Sequence, residues 1–157
     1  MKDKRAIMGF DSFPQNTPEE AERLPVVKIE FQPRDKRFKG TMSTEHLLLR
    51  NAEGELVGEG TLNISRPIKG EHTAYLNTIN TKEALRGRGY GKSTYLELIQ
   101  ILKRQNIRLK SGFELSRGSA KIWDWLTAEK RARKTQEGVI NEQTENEGYS
   151  SAEYEAL

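Results

Sequence analysis

Cysteine is absent from this chain of 157 residues, which excludes disulfides, thiolate metal sites and a cysteine nucleophile. Long apolar runs are absent as well. No stretch approaches the ~18 residues that a membrane-spanning helix needs. Met1–Phe10 carries basic residues with no apolar segment behind them, so it does not read as a signal peptide. A cytoplasmic protein without a membrane partner is the default expectation. Hydrophobic residues make up 34% of the chain and aromatic residues 8%, with a mean hydropathy of −0.80. The core must therefore be economical, and part of the chain is expected outside it. The length suits one compact domain rather than two with separate cores.

Basic residues are missing from the end of the chain. From Thr135 to Leu157 there are six glutamates (137, 142, 145, 147, 153 and 155) and neither Lys nor Arg. Against 26 basic and 23 acidic residues overall, this leaves 26 basic and 17 acidic residues, or +9, for positions 1–134. Such a body favours a polyanionic partner, either nucleic acid or a phosphorylated cofactor.

Pro14, Pro18 and Pro25 punctuate a loosely ordered N-terminal segment, with an acidic helical turn expected around Pro18–Arg23. Val26–Phe31 alternates and is rich in β-branched and aromatic residues, which predicts a strand. Arg34–Lys39 reads as a basic loop. Glu45–Arg50 and Leu56–Ile64, separated by Asn51-Ala52-Glu53-Gly54, predict a β-hairpin. Thr73–Asn80 resumes as a strand. The period then changes: apolar residues at 95, 98, 99, 101 and 102 predict a helix over Lys92–Arg104. Gln105-Asn106 ends it, and Ile107–Phe113 predicts a short strand. A second helix, capped by Ser116 or Ser119, is expected to run through Trp123 and Leu126 towards Lys134. In the tail, Gly138–Gln143 and Tyr149–Glu155 could form a last hairpin. Strands first and crossover helices later predict an α+β, or mixed α/β, fold with helices packed on a sheet.

Between the strand ending near Asn80 and the first helix lies Arg86-Gly87-Arg88-Gly89-Tyr90-Gly91-Lys92. Alternate glycines permit positive φ and let a ligand approach without meeting a Cβ. Consecutive amides followed by helix N-terminal N–H groups form an anion site, and Arg86, Arg88 and Lys92 surround it with positive charge. A Walker loop needs Gly, four residues and Gly-Lys-Ser/Thr; Gly91-Lys92-Ser93 fits, but position 86 is Arg. A dinucleotide fingerprint needs G-x-G-x-x-G, and Gly87-x-Gly89 is followed at the third place by Lys92. Spacing excludes both.

Arg86-x-x-Gly89-x-Gly91 resembles the Gln/Arg-x-x-Gly-x-Gly/Ala motif of the GNAT acetyltransferase superfamily. The order of elements around it, and Leu115–Trp123 opening a second helix, resemble the same family. The likeness is close over residues 73–128 and extends to 26–64 only through strand arrangement. It implies a mostly antiparallel, twisted GNAT-like sheet in a domain spanning 25–134, with 1–24 loosely ordered and 135–157 an acidic tail or final hairpin. It also implies acetyl-CoA as co-substrate, no metal, and transfer of an acetyl group to an amine by direct attack on the thioester. Ile79 and Thr81 fall where the family binds the pantetheine arm and thioester carbonyl. Arg86, Gly87, Arg88, Gly89, Tyr90, Gly91 and Lys92 fall at the pyrophosphate, and Ser116 falls near the cofactor.

The chain departs from the family where catalysis is concerned. Members with a side-chain base often carry Glu where this chain has Tyr75, and members with a general acid often carry Tyr where it has Trp123. A phenol titrates too high to replace the first, and an indole N–H cannot replace the second. Glu59, His72, Tyr75 and the tail tyrosines Tyr149 and Tyr154 are the remaining candidates, beside water. Gln32–Ser43 is too short for the two helices that usually shape the acceptor site. A CoA-binding protein without catalysis is the alternative reading, and a homodimer is compatible with either. A nucleic-acid-binding module is a weaker third, because the aromatics do not interleave with the basic residues as stacking platforms would.

Overall fold

The computed structural model describes residues 23–33, 41–111, 115–136, 149–150 and 152–157. The expected turn at Pro18–Arg23, apart from Arg23, the basic loop at Arg34–Lys39 and the strand expected at Gly138–Gln143 lie outside the described residues.

Among the described residues, nine strands and two helices follow one another, broadly where the changes of period suggest. Strands β1 (Lys28–Pro33), β2 (Met42–Arg50), β3 (Leu56–Ser65) and β4 (His72–Thr81) form an antiparallel meander. A 3-10 turn, Glu83–Leu85, leads to helix α1 (Tyr90–Arg104), then β5 (Ile107–Lys110) and a short β6 (Leu115–Ser116). Helix α2 (Arg117–Ala128) is followed by β7 (Ala132–Gln136), β8 (Tyr149–Ser150) and β9 (Glu153–Ala156). The seven-stranded sheet has the order β1-β2-β3-β4-β5-β9-β7, and β6 pairs with β8 in a separate ribbon.

The β2–β3 hairpin is closed by its turn chemistry. Asn51 Oδ1 accepts from the amides of Glu53 at 3.0 Å and Glu55 at 2.9 Å, an Asx-type turn. Leu47, Leu49, Leu62, Ile64 and Ala74 project from one sheet face into a core shared with Tyr95, Leu98, Leu102, Trp123 and Leu126. Tyr95 of α1 meets Trp123 of α2 edge to face at 5.7 Å, so both helices cover that face. The opposite face of β2–β4 is polar. Thr44 donates to Asn63 at 2.8 Å, Asn63 to Asn77 at 3.2 Å, and the hydroxyls of Thr61 and Thr78 are 2.9 Å apart.

The C-terminal third differs from its sequence expectation. Helix α2 stops at Ala128 because Lys130 takes a left-handed φ of 60°, Arg131 N donates to Leu126 O at 2.8 Å and Lys130 N to Thr127 O at 3.0 Å. These two bonds make a Schellman ending, so Arg131, Arg133 and Lys134 lie beyond the helix instead of in its last turns. The strand that pairs with the chain end is Ala132–Gln136, in register from Ala132↔Ala156 to Gln136↔Glu153. The acidic tail thus supplies β9, an interior strand between β5 and β7. Tyr154 is buried, stacks on Trp123 at 5.8 Å, and donates its hydroxyl to Asp124 at 2.5 Å.

Candidate functional site: a cleft where two strands part

Strands β4 and β5 run parallel, but they pair only from His72↔Ile107 to Tyr75↔Lys110. Beyond Tyr75 the two part, and β4 from Leu76 to Thr81 keeps β3 as its neighbour on one side and faces an opening on the other. A register shift between Thr61 and Leu62 coincides with this point. A cavity of about 220 Å³ lies in the opening, lined by Leu76–Asn80, Tyr95 and Ser119. It continues into a cleft of about 620 Å³ bounded by the end of β4, the glycine-rich turn and the start of α2.

The turn presents backbone amides at the start of α1. Gly89 is the N-cap of α1, with φ of 91° and no side-chain cap. The amides of Tyr90 and Gly91 in the first helical turn therefore have no acceptor within the helix, and the helix dipole adds partial positive charge there. The φ of 91° favours glycine at position 89, and a Cβ would also lie 2.9 Å from Leu24 Cδ2 and 3.3 Å from Pro25 Cδ. Pro25 is held at the same place, where Ser93 Oγ donates to Pro25 O at 2.6 Å. Arg86 Nε donates to Thr81 O at 3.1 Å, tying the turn to the end of β4.

The sequence model of the GNAT acetyltransferase family matches residues 11–116. The chain belongs to that family. Among solved structures, a GCN5-related N-acetyltransferase from Kribbella flavida shares the fold at a TM-score of 0.51 with 20% identity, over 73% of this chain and 68% of the other. An acetyltransferase from Bacillus cereus ATCC 14579 aligns at a TM-score of 0.47 with 20% identity, over 78% and 79%. No curated protein sequence matches. By family, then, this GNAT protein is an N-acetyltransferase on an α+β fold.

The GNAT motif residues fall around one cleft. Ile79, Thr81, Arg86, Gly87, Gly89, Tyr90 and Gly91 line it. Arg88 is exposed on the same turn. The Lys92 ammonium lies 4.8 Å from the Trp125 ring centroid, a cation–π contact, so its charge is engaged on α2. Ser116 lies on β6, paired with Tyr149. The serine that lines the cleft is Ser119, one helical turn further on, whose sequence signal is only that of a helix cap. Asn80 and Tyr95 also line the opening and carried no sequence signal beyond strand and helix periodicity.

The candidates for proton removal are dispersed. His72 stands at the other end of β4, roughly 23 Å from Ile79 at the usual strand rise, and lines a separate cavity with Glu71, Lys103 and Arg108. Tyr75 marks the last β4–β5 pair. Tyr154 is a core residue. Glu59 is different: it is the cross-strand partner of Asn80 and hydrogen-bonds His46 Nε2 at 2.9 Å. Both line a groove of about 420 Å³ on the polar sheet face, together with Thr78, Asn80 and Arg86. Among the described residues no cluster of three or more His, Asp or Glu could hold a metal, and no helix is long and apolar enough to cross a membrane.

Proposed function

We propose that this protein transfers an acetyl group from acetyl-CoA to an amine that approaches from the polar face of β3 and β4. The observation that carries this reading is the continuity of the uncapped α1 N-terminus with the opening between β4 and β5. The first suits a pyrophosphate and the second suits an extended chain ending in a thioester. The open edge of β4 supplies backbone N–H and C=O groups to that chain, and an N–H near Ile79 would polarise the thioester carbonyl. The amine nitrogen attacks the carbonyl carbon and the thiolate departs. Glu59 with His46 is the pair supported as acceptor of the amine proton, because Asn80 joins its groove to the cleft.

Gly91→Asp tests the cofactor end. A carboxylate in the first turn favours the helix N-terminus while occupying the anion site itself, and the nearest atom to a new Cβ is the flexible Ile122 Cδ1 at 3.1 Å. Calorimetry is expected to show at least about a tenfold loss of acetyl-CoA affinity with the melting temperature held or raised. Unchanged affinity would place the pyrophosphate elsewhere. Thiol release with a panel of amines then separates an enzyme from a CoA-binding protein without catalysis.

A further inference from the structure

Breaking a thioester C–S bond leaves its electron pair on sulfur, and the anion forming there is stabilised by a hydrogen-bond donor. The position of that sulfur is bounded by the fold. The phosphate-side cleft and the cavity between the strands share Ile79, Asn80 and Ser119, so a chain running from the α1 amides to the open edge of β4 passes this junction. Ile79 has no polar side-chain atom, and Asn80 stands cross-strand from Glu59. From the helical side the junction is faced by Ser119, with Tyr95 behind it.

Tyr95 is 2% exposed, and its hydroxyl donates to Ser119 Oγ at 3.4 Å. Trp123 meets the Tyr95 ring edge to face at 5.7 Å. Burial raises the Tyr95 phenol above its ordinary value, against the opposing effect of the Ser119 and Trp123 side chains; it therefore stays protonated and keeps its donor at neutral pH. Hydroxyls in series polarise one another, and the Ser119 hydroxyl can rotate its proton towards an arriving acceptor.

We infer that Ser119, positioned by Tyr95, is the hydrogen-bond donor to the departing sulfur in the acyl transfer. The inference rests on the acetyl-CoA reading above. As the C–N bond forms and the C–S bond breaks, the electron pair moves to sulfur and the amine proton leaves to water or Glu59. Ser119 gives a hydrogen bond without transferring its proton, so CoA departs as a thiolate and is protonated in solvent.

The test is an ultraviolet titration of the CoA thiol bound to the wild type, Ser119→Ala and Tyr95→Phe, with CoA lacking its sulfur as the binding control. The bound thiol is expected to ionise about one pH unit lower in the wild type than in Ser119→Ala, a tenfold change in its ionisation constant. Tyr95→Phe should fall between them, and the sulfur-free analogue should bind all three equally. If Tyr95→Phe does not fold, Ser119→Ala decides alone. Equal thiol ionisation in all the proteins that bind CoA overturns the inference and leaves the cofactor reading standing. Failure of the wild type to bind either ligand overturns both.

Discussion

Glu155 shows how a charged residue can occupy a sheet interior. It is 6% exposed; Arg133 Nε donates to it at 2.6 Å, and Arg133 Nη2 contacts the same oxygen. Arg108 lies at 3.3 Å and Lys110 at 4.0 Å. Burial alone raises this carboxyl, but the Arg133 hydrogen bond and the charges of Arg133, Arg108 and Lys110 outweigh it and hold the group below its ordinary value of 4.5. A lowered native pKa stabilises the fold above the unfolded value, and that contribution is lost as pH falls through the native one. Glu155→Gln should therefore cost about 1–2 kcal/mol at pH 7, with the difference shrinking below about pH 4.5. Denaturant melts of both proteins between acid and neutral pH would show it; a difference independent of pH would contradict the assignment.

Strands β3 and β4 meet more closely than side chains would allow. A Cβ on Gly60 would lie 2.5 Å from Thr78 O, and one on Gly58 would lie 2.5 Å from Asn80 O. Both contacts fall beside the opening where β4 leaves β5. Gly60→Ala must push β4 aside at Thr78–Ile79, which should destabilise the fold by about 1–3 kcal/mol and weaken acetyl-CoA binding further than that loss explains. Thermal melts paired with calorimetry would separate the two effects. Elements with one clean period, such as the hairpin and α1, were legible in the sequence. The end of α2 was not, since its left-handed C-terminal residue is Lys130, where a glycine would have signalled the stop. For β9, read from the sequence as one arm of a possible last hairpin, the sheet partners β5 and β7 were not legible, because its Glu155 meets Arg133 and Arg108 only in the folded sheet.

Across the whole molecule, the end of the chain is held inside the sheet. Between β5 and β9, Ser111 N donates to Tyr154 O at 3.0 Å and Tyr154 N donates to Ser111 Oγ at 2.8 Å. The Tyr154 ring completes a row with Trp123 and Tyr95. Replacing it with Ala should cost about 3–5 kcal/mol and lower the stability of the domain as one cooperative unit, with the cleft beside β4 lost in the same transition. A separate early transition for the C-terminal strands in calorimetric unfolding would contradict this. The charge asymmetry of the sequence is also partly internal, because Glu155 neutralises cations on β5 and β7.

The sequence by itself determined the local chemistry: a glycine turn spaced for backbone amides, the helix that follows it, and an Asx-closed hairpin. These depend on residues within a few positions of one another, where φ preference and periodicity act directly. The tertiary structure decided which groups meet. His46 reaches Glu59 across two strands, Tyr95 reaches Ser119 across two helices, and the acidic tail enters the sheet as β9. Such contacts join segments far apart in the chain, and packing against a shared core fixes them. The Arg86–Lys92 turn was therefore legible from its own residues as a glycine-rich entry to a helix, while the donor and acceptor groups proposed around the thioester depend on the parting of β4 and β5.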